Sequence, residues 1–297
     1  MLEFLLVACC CNIKPNRAMI LDYKLIAVGH CKHPEFITIK GGKWCVKKYP
    51  ALCALIKHQN YGYILYDTGY SKRFFDETRK WPFSLYKRFT PVIIEKEDQI
   101  ESQLTKFGIS KDEISLIILS HFHADHIGSV KDFPNAKIIC SKNAFDAVKN
   151  KKGFLALQKG YLKNLLPDNF LNRAEFIEDK TSISLDEKLH PFTSGYDLLG
   201  DRSLIAIELP GHAIGQMGIF FRQQPQDIFL IADSCWSSEA YKKLKLPHPI
   251  TYLIHANKHA YQTTLKKLHL LCKNNQNIKI IPSHCDEIWR EIIEDNK

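Results

Sequence analysis

The chain has 297 residues, 45% hydrophobic and 25% charged, with 14 glycines and 13 prolines; these proportions exclude collagen-like, low-complexity and disordered classes. Its 41 basic and 32 acidic residues leave a net charge of +9, which permits an anionic partner. The lysines are spread along the chain, however, not gathered as in nucleic-acid binders. The 10 cysteines include no C-x-x-C pair, which excludes a zinc ribbon, and their scatter points to reduced thiols in a cytoplasmic protein.

In chain order, the longest apolar stretch comes first, Phe4 to Cys11, far short of the roughly 20 residues that cross a membrane. Leu6-Val7-Ala8-Cys9 resembles a lipoprotein processing site, but no basic segment precedes it. Residues 1–19 are expected to be an extension outside the fold. Met19 is an alternative start, because it opens an apolar strand over 20–28. Residues 20–297 are then expected to form one domain.

Short runs rich in β-branched residues predict strands at 63–66, 116–119, 137–140, 204–207, 228–231 and 278–281. Between them, helical patterns cover 96–107, 141–149 and 260–272, the last with Leu265, Leu268 and Leu271 at helical spacing. Strands alternating with helices predict an α/β protein of stacked layers. The stretch 71–90 is aromatic and basic, with a local charge of +4 from Lys72, Arg73, Arg79, Lys80, Lys87 and Arg88 against Asp76 and Glu77. It is expected to form a lip over a site, with Phe74, Trp81 and Phe83 against substrate. The competing expectation is an amphipathic surface helix with solvated lysines.

The most informative segment is Ser120-His121-Phe122-His123-Ala124-Asp125-His126-Ile127-Gly128. It places four metal-capable side chains within six residues, directly after a strand. In extended chain His121 and His123 point the same way. If a helix follows, Asp125 and His126 point elsewhere, so one loop can serve two metals. Three later strands also end in such residues, at Pro210-Gly211-His212, at Asp233 and at Pro282-Ser283-His284. Ligand sites of α/β sheets gather at strand ends. Taken singly, His212 or His284 is an ordinary hydrogen-bonded core histidine and Asp233 a helix cap; the series of four is what favours a metal centre. The remaining histidines, His33 and His255 among them, have no such context.

These motifs resemble the metallo-β-lactamase superfamily, and the Asp67-Thr68-Gly69 turn after residues 63–66 is similar to that family's early Asp-x-Gly. The resemblance covers roughly 20–290 and implies an αββα sandwich with a dinuclear site at one edge. His121, His123 and His212 would hold one metal, and Asp125, His126 and His284 the other. Asp233 would bridge them, and Asp67 would orient the ligand loop from behind. Within the superfamily the spacing is most similar to the acyl-homoserine lactonases. The implied activity is cleavage of a carboxylic ester or lactone by a hydroxide bound to two divalent ions, with Asp125 or Asp233 moving the proton. Zinc is the first expectation; manganese, iron and cobalt accept the same donors. The expected partner is a small-molecule substrate, and nucleic acid is disfavoured.

Two departures bear on substrate. Those lactonases have a tyrosine three residues after the bridging Asp, where this chain has Trp236; an indole donates a hydrogen bond but does not titrate usefully. Ser283-His284-Cys285 also differs from the usual Gly-His-Asp. A phosphodiesterase, a thioester hydrolase of the glyoxalase II kind, a one-metal sulfur dioxygenase and a non-catalytic member with a relic site are the competing expectations.

Overall fold

The computed structural model describes residues 19–295. The expected extension, with Cys9, lies outside the described residues apart from Met19. Two sheets form the centre of the molecule. The first contains β1 (Ile20–Pro34), β2 (Val46–His58), β3 (Gly62–Tyr66), β4 (Val92–Ile93), β5 (Ile114–Ile118), β6 (Lys137–Cys140) and β7 (Ala174–Phe176), in the order β4-β1-β2-β3-β5-β6-β7. The second contains β8 (Thr181–Ser184), β9 (Ser194–Asp197), β10 (Ile205–Glu208), β11 (Met217–Phe221), β12 (Asp227–Leu230) and β13 (Ile278–Ile281), in the order β13-β12-β11-β10-β9-β8.

The side-chain alternation of each strand decides what its faces bury. Ile64, Tyr66, Leu116 and Ile118 of the first sheet meet Ala206, Met217, Ile219 and Leu230 of the second in a shared central core. Their neighbours point outward. Leu65, Ile117 and Ile138 pack under helical segments that include Phe74, Leu104, Ile127 and Phe145. On the far side Ile207, Phe220, Phe229 and Ile280 are covered by Leu265, Leu268 and Leu271 of the helix Lys258–Asn274. This is the αββα order of layers. The central strands, β11 and β12 above all, are buried on both faces and therefore read as continuous apolar runs.

The long covering helix starts where the Asn257 side chain accepts the Ala260 N–H at 2.9 Å, satisfying one of the donors every helix start leaves open. Each of its three leucines contributes about 1.5–3 kcal/mol by burial. It also links β12 to β13, which are parallel and so need a crossover.

The other expected helices are shorter or divided. Only Ile100–Thr105 is helical within 96–107, because the Asp98 carboxylate accepts the Glu95 N–H and makes a turn of the first residues. Residues 71–90 form two short helices, Arg73–Glu77 and Ser84–Phe89. Among the described residues, seven cysteines are free, and no helix is long and apolar enough to cross a membrane.

Candidate metal centre

Four strands deliver the site. β5 ends at Ile118, and the chain then runs through His121 and His123 into the one-turn helix Ala124–Ile127 that carries Asp125 and His126. β10 leads to His212, β12 to Asp233 and β13 to His284. The loop after β3 supports them from behind. Asp67 has a positive φ of 59°, a conformation that short polar side chains tolerate. Its Oδ1 accepts the Ser120 N–H at 2.8 Å. Its Oδ2 accepts the Ser120 hydroxyl at 2.8 Å and His126 Nδ1–H at 2.7 Å. Next to it Thr68 N–H bonds the His126 carbonyl at 2.8 Å. A Cβ at Gly128 would lie 2.4 Å from the Gly69 carbonyl oxygen, so the two loops meet this closely only because residue 128 is glycine.

The histidine contacts fix which nitrogen faces inward. His126 spends Nδ1 on Asp67, and His284 spends Nδ1 on the Pro50 carbonyl at 2.6 Å. Each thereby directs Nε2 to the centre, the usual arrangement of a metal-binding imidazole once that nitrogen has given up its proton. His284 Nε2 lies 3.2 Å from both Asp125 and Asp233. His126 Nε2 lies 3.3 Å from Asp233 Oδ1, yet neither atom has a hydrogen bond; proximity here is not alignment. His123 Nδ1 and His212 Nε2 are 3.0 Å apart, and His121 Nε2 has no partner.

Buried polar atoms are normally satisfied. A cluster of unpartnered nitrogen and oxygen atoms that converge on one point fits a cation. His121, His123, His212 and Asp233 bring ligand atoms within 4.8 Å of one another, and so do Asp125, His126, Asp233 and His284. Each group could hold one ion, and Asp233 belongs to both. The mixed nitrogen and oxygen donors suit zinc and its neighbours.

The protonation of the metal-free cluster differs between the groups. Burial and neighbouring imidazoles push His121 and His212 well below the ordinary histidine range, and burial pushes His123 to about 4. Burial acts the same way on His284, but Asp233 and Asp125 outweigh it and raise His284 to about 10. His126 is likewise raised well above its ordinary value, by Asp125 and Asp67 against burial. Burial would raise the Asp233 carboxyl, but His284 and His126 hold it well below the carboxylate range.

A cavity of about 340 Å³ opens beside the cluster, reaching His123, Asp125, His212 and Asp233. Trp236 forms part of its wall, with its ring 4.3 Å from His284 and 5.3 Å from Tyr49. The other three aromatics expected against substrate are elsewhere. Phe74 is fully buried and packs edge-on beneath Tyr70 and Tyr86. Phe83 packs half-buried on the same core. Trp81 is 66% exposed and leans on Phe154. Helical geometry explains the difference: in Ser84–Phe89 it is Leu85, Tyr86 and Phe89 that turn toward the cavity.

The sequence reading missed Tyr70 and Tyr261, which also line the cavity. With Tyr86 they supply three phenols whose pKa burial raises well above the usual value, so they remain hydrogen-bond donors. Tyr70 directly follows the Asp67-Thr68-Gly69 turn, which was a usable signal; Tyr261 had none. His33 and His255, set aside on sequence, are in the wall too, and burial lowers each to about 4.

The sequence model of the metallo-beta-lactamase superfamily matches residues 46–224. The chain belongs to the metallo-β-lactamase superfamily. Among curated relatives, this family member is 25% identical over 194 residues to the N-acyl homoserine lactonase AiiB of Agrobacterium fabrum, covering 60% of each chain. It is 21% identical over 257 residues to the lactonase AttM of Azorhizobium caulinodans, covering 85% of this chain and 88% of that one. The chain thus spans about 60% of the length of the first of these relatives. Among solved structures, an N-acyl homoserine lactone hydrolase with bound N-hexanoyl-L-homoserine superposes with TM-score 0.70 at 18% identity, covering 92% of this chain and 96% of that one. The dizinc lactonase AidC superposes with TM-score 0.60 at 19% identity over 91% and 92%. At this identity these structures establish the αββα fold.

Proposed function

We propose that the protein is a metal-dependent hydrolase that opens a lactone or carboxylic ester, with His121, His123, His212 and Asp233 holding one divalent ion and Asp125, His126, Asp233 and His284 a second. The observation that carries this reading is the position of Asp233, shared by two buried donor groups at the edge of a largely apolar cavity. The dizinc relative and the donor set favour zinc. Two such ions supply Lewis acidity and bring the pKa of water toward neutrality.

The protein's own part is orientation and proton handling. Asp67 and the Pro50 carbonyl hold His126 and His284 in the tautomer that presents Nε2. Asp125 and Asp233 are the carboxylates that line the cavity, and one of them would take a proton at Oδ2 and return it to the leaving alkoxide. Trp236 stands at the sequence position where the resemblance implies a titratable tyrosine, and it lines the cavity. Tyr70, Tyr86 and Tyr261 are the donors available to the substrate carbonyl, since all three stay protonated. Leu85, Phe89, Leu157 and Ile254 form an apolar wall, which fits an acyl chain and excludes water from the leaving group.

The direct test is acid release from a long-chain N-acyl homoserine lactone, followed by pH-stat with metal-loaded protein. Rapid release that a chelator abolishes and zinc restores is expected. A folded sample holding two metals that releases no acid would defeat the lactone assignment and turn attention to thioesters and phosphodiesters.

A further inference from the structure

The rim of the cavity carries two features that the metal centre does not use. The first is apolar surface. Trp81, Phe89, Phe154 and Leu155 are 66%, 71%, 55% and 59% exposed. Trp81 and Phe154 lie edge-on with ring centroids 5.3 Å apart. Phe89 and Leu157, from the same two segments, line the cavity, so the segments that carry the exposed rings also build its wall. Single exposed apolar residues are ordinary, but four large ones on two segments that touch each other and also wall a cavity point to an interaction site.

The second feature is charge. Segments 79–90 and 147–165 carry nine basic residues and no acidic one. Arg79 and Lys149 pair with Asp76 and Asp146. Lys80, Lys87, Arg88, Lys151, Lys152, Lys159 and Lys163 have no carboxylate partner among the described residues.

We propose that this rim docks on an anionic lipid bilayer, with the four exposed apolar side chains entering the headgroup region and the cations facing acidic headgroups. Indole and phenyl rings settle at that depth, and each nearby lysine or arginine adds attraction to an acidic leaflet. The composition favours lipid over other occupants. A second copy meeting this surface across a two-fold axis would press the same cations together. A protein partner is a poorer fit because six of the seven unpaired cations are lysines, which protein interfaces avoid. Docked this way, the cavity opens toward the bilayer.

The test is co-sedimentation of the full chain with vesicles of phosphatidylcholine alone and of phosphatidylcholine mixed with phosphatidylglycerol. Binding to the acidic vesicles that falls with added salt is expected. Trp81→Ala with Phe154→Ala, and separately Lys87→Glu with Arg88→Glu, should each lower the partition coefficient about tenfold or more. Bound metal, unchanged in both variants, shows that they fold. Brominated lipid should quench wild-type tryptophan fluorescence and quench Trp81→Phe less. Vesicle binding needs no turnover, so failure of the hydrolase reading would leave this result legible. No binding at low salt, or equal binding by wild type and both variants, overturns the proposal. A halved sedimentation mass in the aromatic variant overturns it in favour of a second copy of the chain.

Discussion

The two donor groups differ in how many protons they hold before metal arrives. His121, His123 and His212 are neutral at working pH, so binding at that group displaces no proton from an imidazole. His126 and His284 are held protonated by carboxylates, so the second group must expel protons to bind. Metal titration calorimetry in buffers of differing ionisation enthalpy should therefore show proton release for one ion and little for the other. Affinity at the second group should rise with pH up to about 10, the value to which His284 is raised. For metal-free protein the sign reverses. His284 is raised from 6.5 to about 10 on folding, so its contribution to stability is complete below pH 6.5 and lost as pH rises through 10. Thermal melts of the chelated protein between those limits check this.

Individual substitutions separate the ligands from their support. Asp233→Ala or His123→Ala should abolish bound metal and lower turnover by about a thousandfold or more, read by metal analysis and pH-stat together. Full activity in either purified variant would defeat the ligand assignment. Asp67→Asn keeps the shape but weakens the hydrogen bond that fixes His126, and should weaken metal binding by about 10–100-fold.

At the scale of elements, the site depends on how loops are buttressed. The two short helices of 71–90 divide the labour: Arg73–Glu77 buries Phe74 as a floor, and Ser84–Phe89 turns Tyr86 to the cavity. Phe74→Ala should cost about 3–5 kcal/mol in denaturant unfolding, because it empties a fully buried site. It should also raise KM by loosening Tyr70 and Tyr86, which rest on that ring. Trp81→Ala, at an exposed position, should change stability by less than about 0.5 kcal/mol. The same logic shows what was legible in the sequence. Residues 116–119, 228–231 and 278–281 read as strands because burial on both faces makes them continuous apolar runs, and each marks its end with a metal-capable residue. β2 and β11 carry no ligand at their ends and were not singled out, although Ala51–Ile56 is just such a run. The direction of Phe74, Trp81 and Phe83 was not legible, since composition shows that a segment is aromatic but not how its helices are broken.

At the scale of the molecule, the layered class followed from alternation of strands with helices, whereas the order of strands did not. β13 lies beside β12 and β3 beside β5, and both pairings depend on chain returning across long connections. The cavity was illegible for the same reason. Tyr70 and Tyr86, Trp236, and His255 and Tyr261 come from three separate stretches of chain and meet around one cavity only after the two sheets have stacked.

The proposed ligands extend from His121 to His284, in segments delivered by both sheets. No ion can be held by the full donor set until those sheets have docked, so metal arrives too late to guide the folding search and in time only to lock its result. Refolding rates should therefore be the same with zinc or with chelator, while the unfolding rate should fall as zinc is added. Stopped-flow fluorescence measures both limbs. For such a chain, occupancy of the centre acts as a clock on how long a finished molecule lasts.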